Sequence, residues 1–209
     1  MTETISFSLF ADLGARHVST LRAALRLFCE KGYFNTSVHE IVAAGGVSVG
    51  FAYHHFTDKA GIARAVYDHL LERMNALLND IEATHDGAQD RCAAVVRMLF
   101  ELTEAEPEAM EFIIHARHRE FLPSEKSICS TSAFVRMRRF VADGILTGEI
   151  KPMDPVVAGA LVYGAAIRMV CLRLDGLVPQ PVGDYYDELW QNTWAALTTH
   201  RGLVSSGSE

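Results

Sequence analysis

Apolar positions recur at intervals of three and four along nearly the whole chain, and strict alternation is almost absent, so the sequence predicts helices throughout. Leu21, Ala24, Leu25 and Phe28 form the first stripe, on a helix from about Asp12 to Lys31 that Gly32 ends. Val38, Ile41 and Val42 mark a second helix, capped by Thr36 or Ser37 and stopped by Gly45-Gly46. Ser48 caps a third, very short helix. The pair Thr57-Asp58 opens a fourth, which carries Ile62, Val66, Leu70, Leu77 and Ile81 without a breaker to about Ala83. That run is long enough to link two domains.

Beyond the polar turn THDGAQD, Cys92, Val95, Val96, Leu99 and Leu102 give a fifth helix, and Pro107 at a first helical turn leads Met110, Ile113 and Ile114 on a sixth. Residues 120–132, with Pro123 and several serines, predict a loop before the helix of Phe134, Met137, Val141 and Ile145. Asp154-Pro155 is a carboxylate cap followed by proline, opening a helix rich in small residues. A last helix, about Gly183 to Thr199, carries Tyr186, Leu189, Trp190, Trp194 and Leu197. The expectation is an all-α protein of about nine helices, with an N-terminal three-helix unit over residues 12–58 and a larger helical domain over 59–201.

Composition narrows the class. The chain has 209 residues, 49% of them hydrophobic, which suits a packed core and excludes disorder as the main state. The longest apolar stretches look broken by charge or glycine short of a membrane span, and the start lacks a basic n-region, so a cytoplasmic location is expected. Cys29, Cys92, Cys129 and Cys171 have no short-range pairing and predict free, buried thiols. The net charge is −7, yet residues 1–60 carry five basic side chains (Arg16, Arg22, Arg26, Lys31, Lys59) and five acidic ones (Glu3, Asp12, Glu30, Glu40, Asp58). The N-terminal segment is neutral and the acidity lies downstream.

Three short helices, the second and third joined by a glycine-containing turn, make a helix-turn-helix, whose third helix enters the DNA major groove. The string ALRLFCEKGYFNTSVHEIVAAGGVSVGFAYHHFTDKAGI, Ala24 to Ile62, resembles the DNA-binding domain of the TetR family. It carries Phe28, Gly32-Tyr33, Thr36-Ser37-Val38, Ile41, the turn Ala44-Gly45-Gly46-Val47-Ser48, then Gly50, Tyr53, His55-Phe56 and Lys59. Phe28, Val38, Ile41, Val47, Ala52 and Phe56 fall on inward faces and predict the small core that fixes three helices. Thr36, Ser37 and Ser48 sit at helix N-termini, where free backbone N–H groups can receive a phosphate.

The resemblance implies that Tyr53, His55 and Lys59 contact phosphates and that Val49, Gly50, Phe51 and His54 face base edges. Valine and phenylalanine there depart from a common family pattern and favour thymine methyl groups, unless Phe51 packs against a neighbouring helix instead. A neutral head has little non-specific affinity, so binding should rest on fit and on a homodimer whose recognition helices lie roughly 34 Å apart over a near-palindromic double-stranded operator.

For the C-terminal half the resemblance implies a plan rather than residues: the last two helices pair with a second subunit and the others enclose a small-molecule effector. Ala158, Gly159, Val162, Ala166, Trp190 and Trp194 are the candidate dimer interface. Met98, Phe112, His115, Arg119, Phe134, Met137 and Tyr163 are candidate pocket lining. Glu111, His115 and either His118 or Arg119 share a helical face, which reads as a metal site, as an anion site using Arg117 or Arg119, or as a plain polar cluster.

The implied function is a transcriptional regulator, most simply a repressor released by its effector. The alternative is a helical metal- or haem-binding sensor that does not act on DNA. No cofactor is called for, and no nucleophile elbow or phosphate cradle suggests an enzyme. The only imaginable nucleophile pair is Cys29 with a histidine such as His55.

Overall fold

The structure, a computed structural model, describes residues 10, 13–115, 118–122 and 131–198, and every regular element among them is helical. Three short helices, α1 (Ala15–Lys31), α2 (Val38–Gly45) and α3 (Val49–Phe56), precede the long α4 (Lys59–Thr84). Then come α5 (Ala88–Ala105), α6 (Pro107–His115), α7 (His118–Phe121), α8 (Ser132–Thr147), α9 (Pro155–Leu174) and α10 (Tyr186–Leu197). The periodicity does not set apart α7, a single turn that runs from the end of the predicted sixth helix into the start of the predicted loop. The final helix starts later than expected because Val182–Tyr185 wind as a 3-10 turn.

The capping chemistry read from the sequence holds, with one choice resolved. Ser37, not Thr36, caps α2: its hydroxyl accepts from the Glu40 N–H while the Glu40 carboxylate accepts from the Ser37 N–H, a reciprocal capping box. Thr36 instead turns inward, 2% exposed, and its hydroxyl bonds the carbonyls of Leu27 and Gly32. The two glycines of the turn do different work. Gly46 takes the left-handed conformation (φ 63°) that ends α2, whereas a Cβ on Gly45 would press on the Ser19 carbonyl oxygen at 3.0 Å. That second requirement sets how closely α2 approaches α1.

Buried side chains fall into two clusters. The N-terminal one joins Leu21, Leu25 and Phe28 of α1, Ile41 of α2 and Phe56 of α3 to Ile62, Val66 and Leu70 of α4. Of the expected inward residues, Val38 packs only partly against this cluster and Val47 stays half-exposed. The second cluster takes over along α4 at Met74, Leu77, Leu78 and Ile81 and extends through α5, α8, α9 and α10.

Helix α6 also serves both clusters. Ala109 and Phe112 belong to the N-terminal core, where the Phe112 ring stacks 6.4 Å from Phe28, while Met110 belongs to the other. At the α5–α6 corner, Glu106 receives both guanidinium nitrogens of Arg22 from α1 at 3.0 Å.

By length and composition α9 is apolar enough to cross a membrane, contrary to the expectation that no segment approaches a span. Its Ala158, Val162, Ala166 and Val170 face is fully buried in the second cluster. The neighbouring face, Val156, Val157, Ala160, Leu161, Gly164 and Ala165, is exposed and carries no charge until Arg168, one turn further along the same face.

Candidate nucleic-acid interface

The α2–turn–α3 unit presents α3 outward. Ala52 and Phe56 anchor the helix in the core, and its far side leaves Gly50, Tyr53, His54 and His55 exposed, with Val49 half-exposed. Tyr53 is 47% exposed. Ser48 caps α3 by accepting the Phe51 N–H at 3.1 Å, and the remaining N–H groups of the first turn have no intrahelical acceptor. An anion can approach them along the helix axis.

The N-terminus of α2 is different. Glu40 takes both the N–H and the hydroxyl of Ser37, and its own charge is met by Lys31 at 2.8 Å. Those contacts, led by the Lys31 ammonium, hold the Glu40 carboxyl down to about 2. A phosphate at this end would share Ser37 with a carboxylate already in place. With Thr36 turned inward as well, α3 offers the more open helix terminus.

Lys59 is anchored rather than free. Its ammonium donates to the carbonyls of Tyr33 and Thr36, each at 2.9 Å, and lies 4.3 Å from the Tyr33 ring centroid. The start of α4 is thereby tied to the α1–α2 loop, with one ammonium proton uncommitted by these bonds. Between α3 and α4 the chain makes a three-residue γ-turn: Thr57 has φ 68° and ψ −53°, and the Asp58 N–H reaches the Phe56 carbonyl at 2.7 Å. Asp58 then caps α4 through the Gly61 N–H. A Cβ at Gly61 would collide with the Phe56 carbonyl oxygen.

Phe51 is half-buried against the N-terminal core, with its ring centroid 5.1 Å from His17 and 4.3 Å from His55. Packing against a neighbouring helix, the alternative left open for this residue, describes that arrangement. His17 is the participant that sequence reasoning missed. It comes from the first turn of α1, and its ring lies 4.5 Å from that of His55, which lies 4.8 Å from His54. Partial desolvation, then repulsion from His17 and His54, hold the His55 imidazole below its usual value. No periodic pattern could have flagged His17, because only the angle between α1 and α3 brings it to this face.

The C-terminal candidates are distributed over three cavities. Phe134 and Met137 line an apolar one; Met98 lines another among α4, α5 and α10; Phe112 and His115 line a third, between α1 and α6. Tyr163 is buried, its hydroxyl donating to the Met137 carbonyl at 3.3 Å. Glu111 and His115 pair at 3.0 Å, while Arg117 and the side chains of His118 and Arg119 lie outside the described residues. Among the described residues no group of three His, Cys, Asp or Glu side chains could hold a metal ion.

Of the interface candidates, Ala158, Val162, Ala166 and Trp194 are buried in the protomer's own core. Gly159 and Trp190 remain half-exposed, the Trp190 ring stacking 5.4 Å from Trp194. The small-residue face that could meet another surface is therefore the adjacent one on α9.

The thiol of Cys29 donates to the Glu108 carbonyl and is pushed up to about 12 by burial and by the carboxylates of Glu111, Glu108 and Glu30. That is the reverse of nucleophile activation. Of the four cysteines expected to be buried, Cys92 is buried, Cys29 and Cys171 are half-buried, and Cys129 lies outside the described residues.

Residues 21–66 match the family profile described as bacterial regulatory proteins, tetR family. The HTH-type transcriptional regulator BetI of Brucella anthropi is 27% identical over 109 residues, which cover 50% of this chain and 56% of that protein. The chain spans about half the length of the first curated relatives it matches. Among solved structures, the fatty acid degradation regulator FadR from Bacillus halodurans aligns with a TM-score of 0.74 at 16% identity, covering 89% of this chain and 98% of that one. The ketosteroid transcriptional regulator KstR2 of Mycobacterium tuberculosis gives 0.74 at 19% identity, covering 92% and 100%. At such identities the likeness is one of fold. The segment 21–66 is thus similar to the DNA-binding part of the tetR family of bacterial regulatory proteins, and it is set within an all-helical fold shared with these solved structures.

Proposed function

We propose that this protein is a cytoplasmic, non-enzymatic transcription regulator that binds a near-palindromic operator as a homodimer and leaves it when a small molecule occupies the C-terminal helices. The observation that carries this reading is the exposed face of α3, with Ser48 capping an open helix terminus beside Tyr53 and His54. Val49, Gly50 and His54 are the residues best placed for base edges. Tyr53, His55 and the first-turn N–H groups of α3 suit phosphates, and Lys59 acts chiefly by positioning. Phe51 supports the recognition helix from behind, leaving fewer apolar groups for thymine methyls than its sequence position implies.

The apolar, small-residue stretch of α9 from Val156 to Ala165, bounded by Arg168, supports pairing with a second copy. Small side chains permit close approach, and apolar burial there contributes roughly 25 cal/mol per Å². The boundary near residues 58 and 59 separates head from sensor in chain order, but α4 and α6 carry packing across it. A ligand that displaces α6 would move Phe112 and Glu106 against α1, and through α1 the α2–α3 unit. DNA and effector would then oppose each other by linkage.

Selecting fragments of the source genome on the purified protein tests this directly. The expected result is enrichment of a two-fold symmetric sequence, lost with Tyr53→Ala and His54→Ala while the helical signal is unchanged. No preference for any duplex over random competitor at low salt would reject it.

A further inference from the structure

The C-terminal cluster borders a partly open cavity of about 200 Å³ that no packing contact fills. Met74 of α4, Leu99 of α5 and Ile167 of α9 form one wall; Met110, Ile113 and Ile114 of α6 face Phe134 and Met137 of α8. None of these side chains carries a nitrogen or oxygen. The cavity among α4, α5 and α10, about 520 Å³, contrasts sharply, because Arg73, Asp80, Asp90, Arg97 and Glu101 put charged groups on its wall.

We propose that the cavity lined by Met110, Ile114, Phe134 and Met137 binds a neutral, hydrocarbon-rich molecule of roughly six to ten carbon atoms, with no charged group inside the protein. The inference rests on the reading that the C-terminal helices sense an effector. Size follows from volume, since a cavity of about 150 Å³ lined by aliphatic and aromatic side chains already admits benzene and stays dry without it.

Charge is excluded by the wall. A carboxylate or ammonium placed there would give up its water and meet no hydrogen-bonding side chain, a loss that apolar contact does not offset. Three methionines supply adaptable walls, so the site selects by polarity more strongly than by outline. Location gives the ligand leverage, because the residues opposite Met110, Ile113 and Ile114 on α6, Ala109 and Phe112, belong to the N-terminal core.

Propylbenzene, 3-phenylpropanoate and 3-phenylpropylamine share a ring and a three-carbon chain and differ in charge. They are titrated into the full-length protein carrying labelled methionine methyl groups. Propylbenzene is expected to shift the Met74, Met110 and Met137 methyl resonances and to bind about tenfold or more tighter than either ion. Ile114→Trp, which fills the space, is expected to abolish the shifts; Leu99→Phe provides a milder filling should that variant fail to fold. Equal or tighter binding of an ion, unshifted methionine methyls, or undiminished binding by a folded filled variant would each overturn the proposal. Duplex affinity is followed separately: a protein that binds propylbenzene in the cavity yet releases no DNA upholds the ligand class and removes only the regulatory reading.

Discussion

Arg22 and Glu106 clasp each other across the junction of the two cores, guanidinium to carboxylate, with both nitrogens bonded at 3.0 Å. The Glu106 side chain is only 10% exposed, whereas that of Arg22 is 40% exposed and lies 5.5 Å from the Phe10 ring. Hydrogen bonding to Glu106, outweighing burial, raises the Arg22 pKa. Arg22→Ala strands the carboxylate, and a loss of about 1–2 kcal/mol in urea unfolding is expected once the exposure of the arginine is discounted. The double variant with Glu106→Gln should recover part of it. A single variant as stable as wild type would show that the clasp is not holding the junction.

The γ-turn at Thr57 predicts opposite outcomes for two glycine changes. Thr57→Gly relieves a positive φ that a β-branched residue rarely adopts, and a gain of about 1 kcal/mol is expected from thermal unfolding. Gly61→Ala sets a methyl group against the Phe56 carbonyl oxygen and should cost more than about 2 kcal/mol. Because the collision lies where α3 meets α4, DNA affinity should fall with it. If Gly61→Ala melts as wild type does, α4 does not start where it is described.

In the proposed interface, His55 on the exposed side of α3 is expected to make DNA binding sensitive to acid. His55 is held below its ordinary value of 6.5, first by partial desolvation and then by repulsion from His17 and His54, so it is mainly neutral near pH 7. The unfolded chain takes up its proton earlier. The His55 contribution to folding stability is therefore nil above that window and becomes a loss as pH falls through 6.5 toward the folded value. Binding to phosphates runs the other way, since each imidazolium gained neutralises charge on the duplex. Fluorescence anisotropy at constant ionic strength should show several-fold tighter binding at about pH 6 than at about pH 8, with a steeper salt dependence. His55→Asn should flatten the profile. An unchanged profile would place the protonation sites elsewhere.

A charge on the exposed stripe of α9 should separate the subunits without unfolding them. Gly164 has open space around its α-carbon and Leu161 is 41% exposed, so Gly164→Glu or Leu161→Glu fits the isolated protomer. Sedimentation should report a monomer, and operator affinity should fall because two half-sites must be held at once. Val162→Glu, one residue away but fully buried, should instead unfold the protein. A dimer that survives both exposed substitutions would move the interface off this face.

Helix positions were the most legible part of the chain, because caps and stripes are local. Ser48, Asp58 and Asp154 each sit where their hydroxyl or carboxylate meets a first-turn N–H, as the sequence predicts. Faces on a helix buried on one side and bare on the next were not. Ala158 and Ala160 read alike in a run of small residues, yet one is buried and the other exposed, and only the crossing of α9 over α5 and α8 decides which.

Distant partnerships were equally silent. Gly87 offers α5 no side-chain cap; Glu149 does so from across the fold, accepting from the N–H groups of Ala88 and Gln89. At the candidate DNA face, motif position marked Tyr53 and His54 for exposure, and it also marked Thr36 and Lys59. Their polar groups turned out to be engaged by carbonyls that no spacing rule connects to them.

The double allegiance of α6 limits what can be exchanged between proteins of this architecture. A chimera joining residues 13–58 to a foreign sensor would leave Phe28 without its stacking ring and Arg22 without its carboxylate. Such a graft would need the donor's Glu106, Ala109 and Phe112 carried along on the recipient's sixth helix before the transplanted head could report on a new ligand.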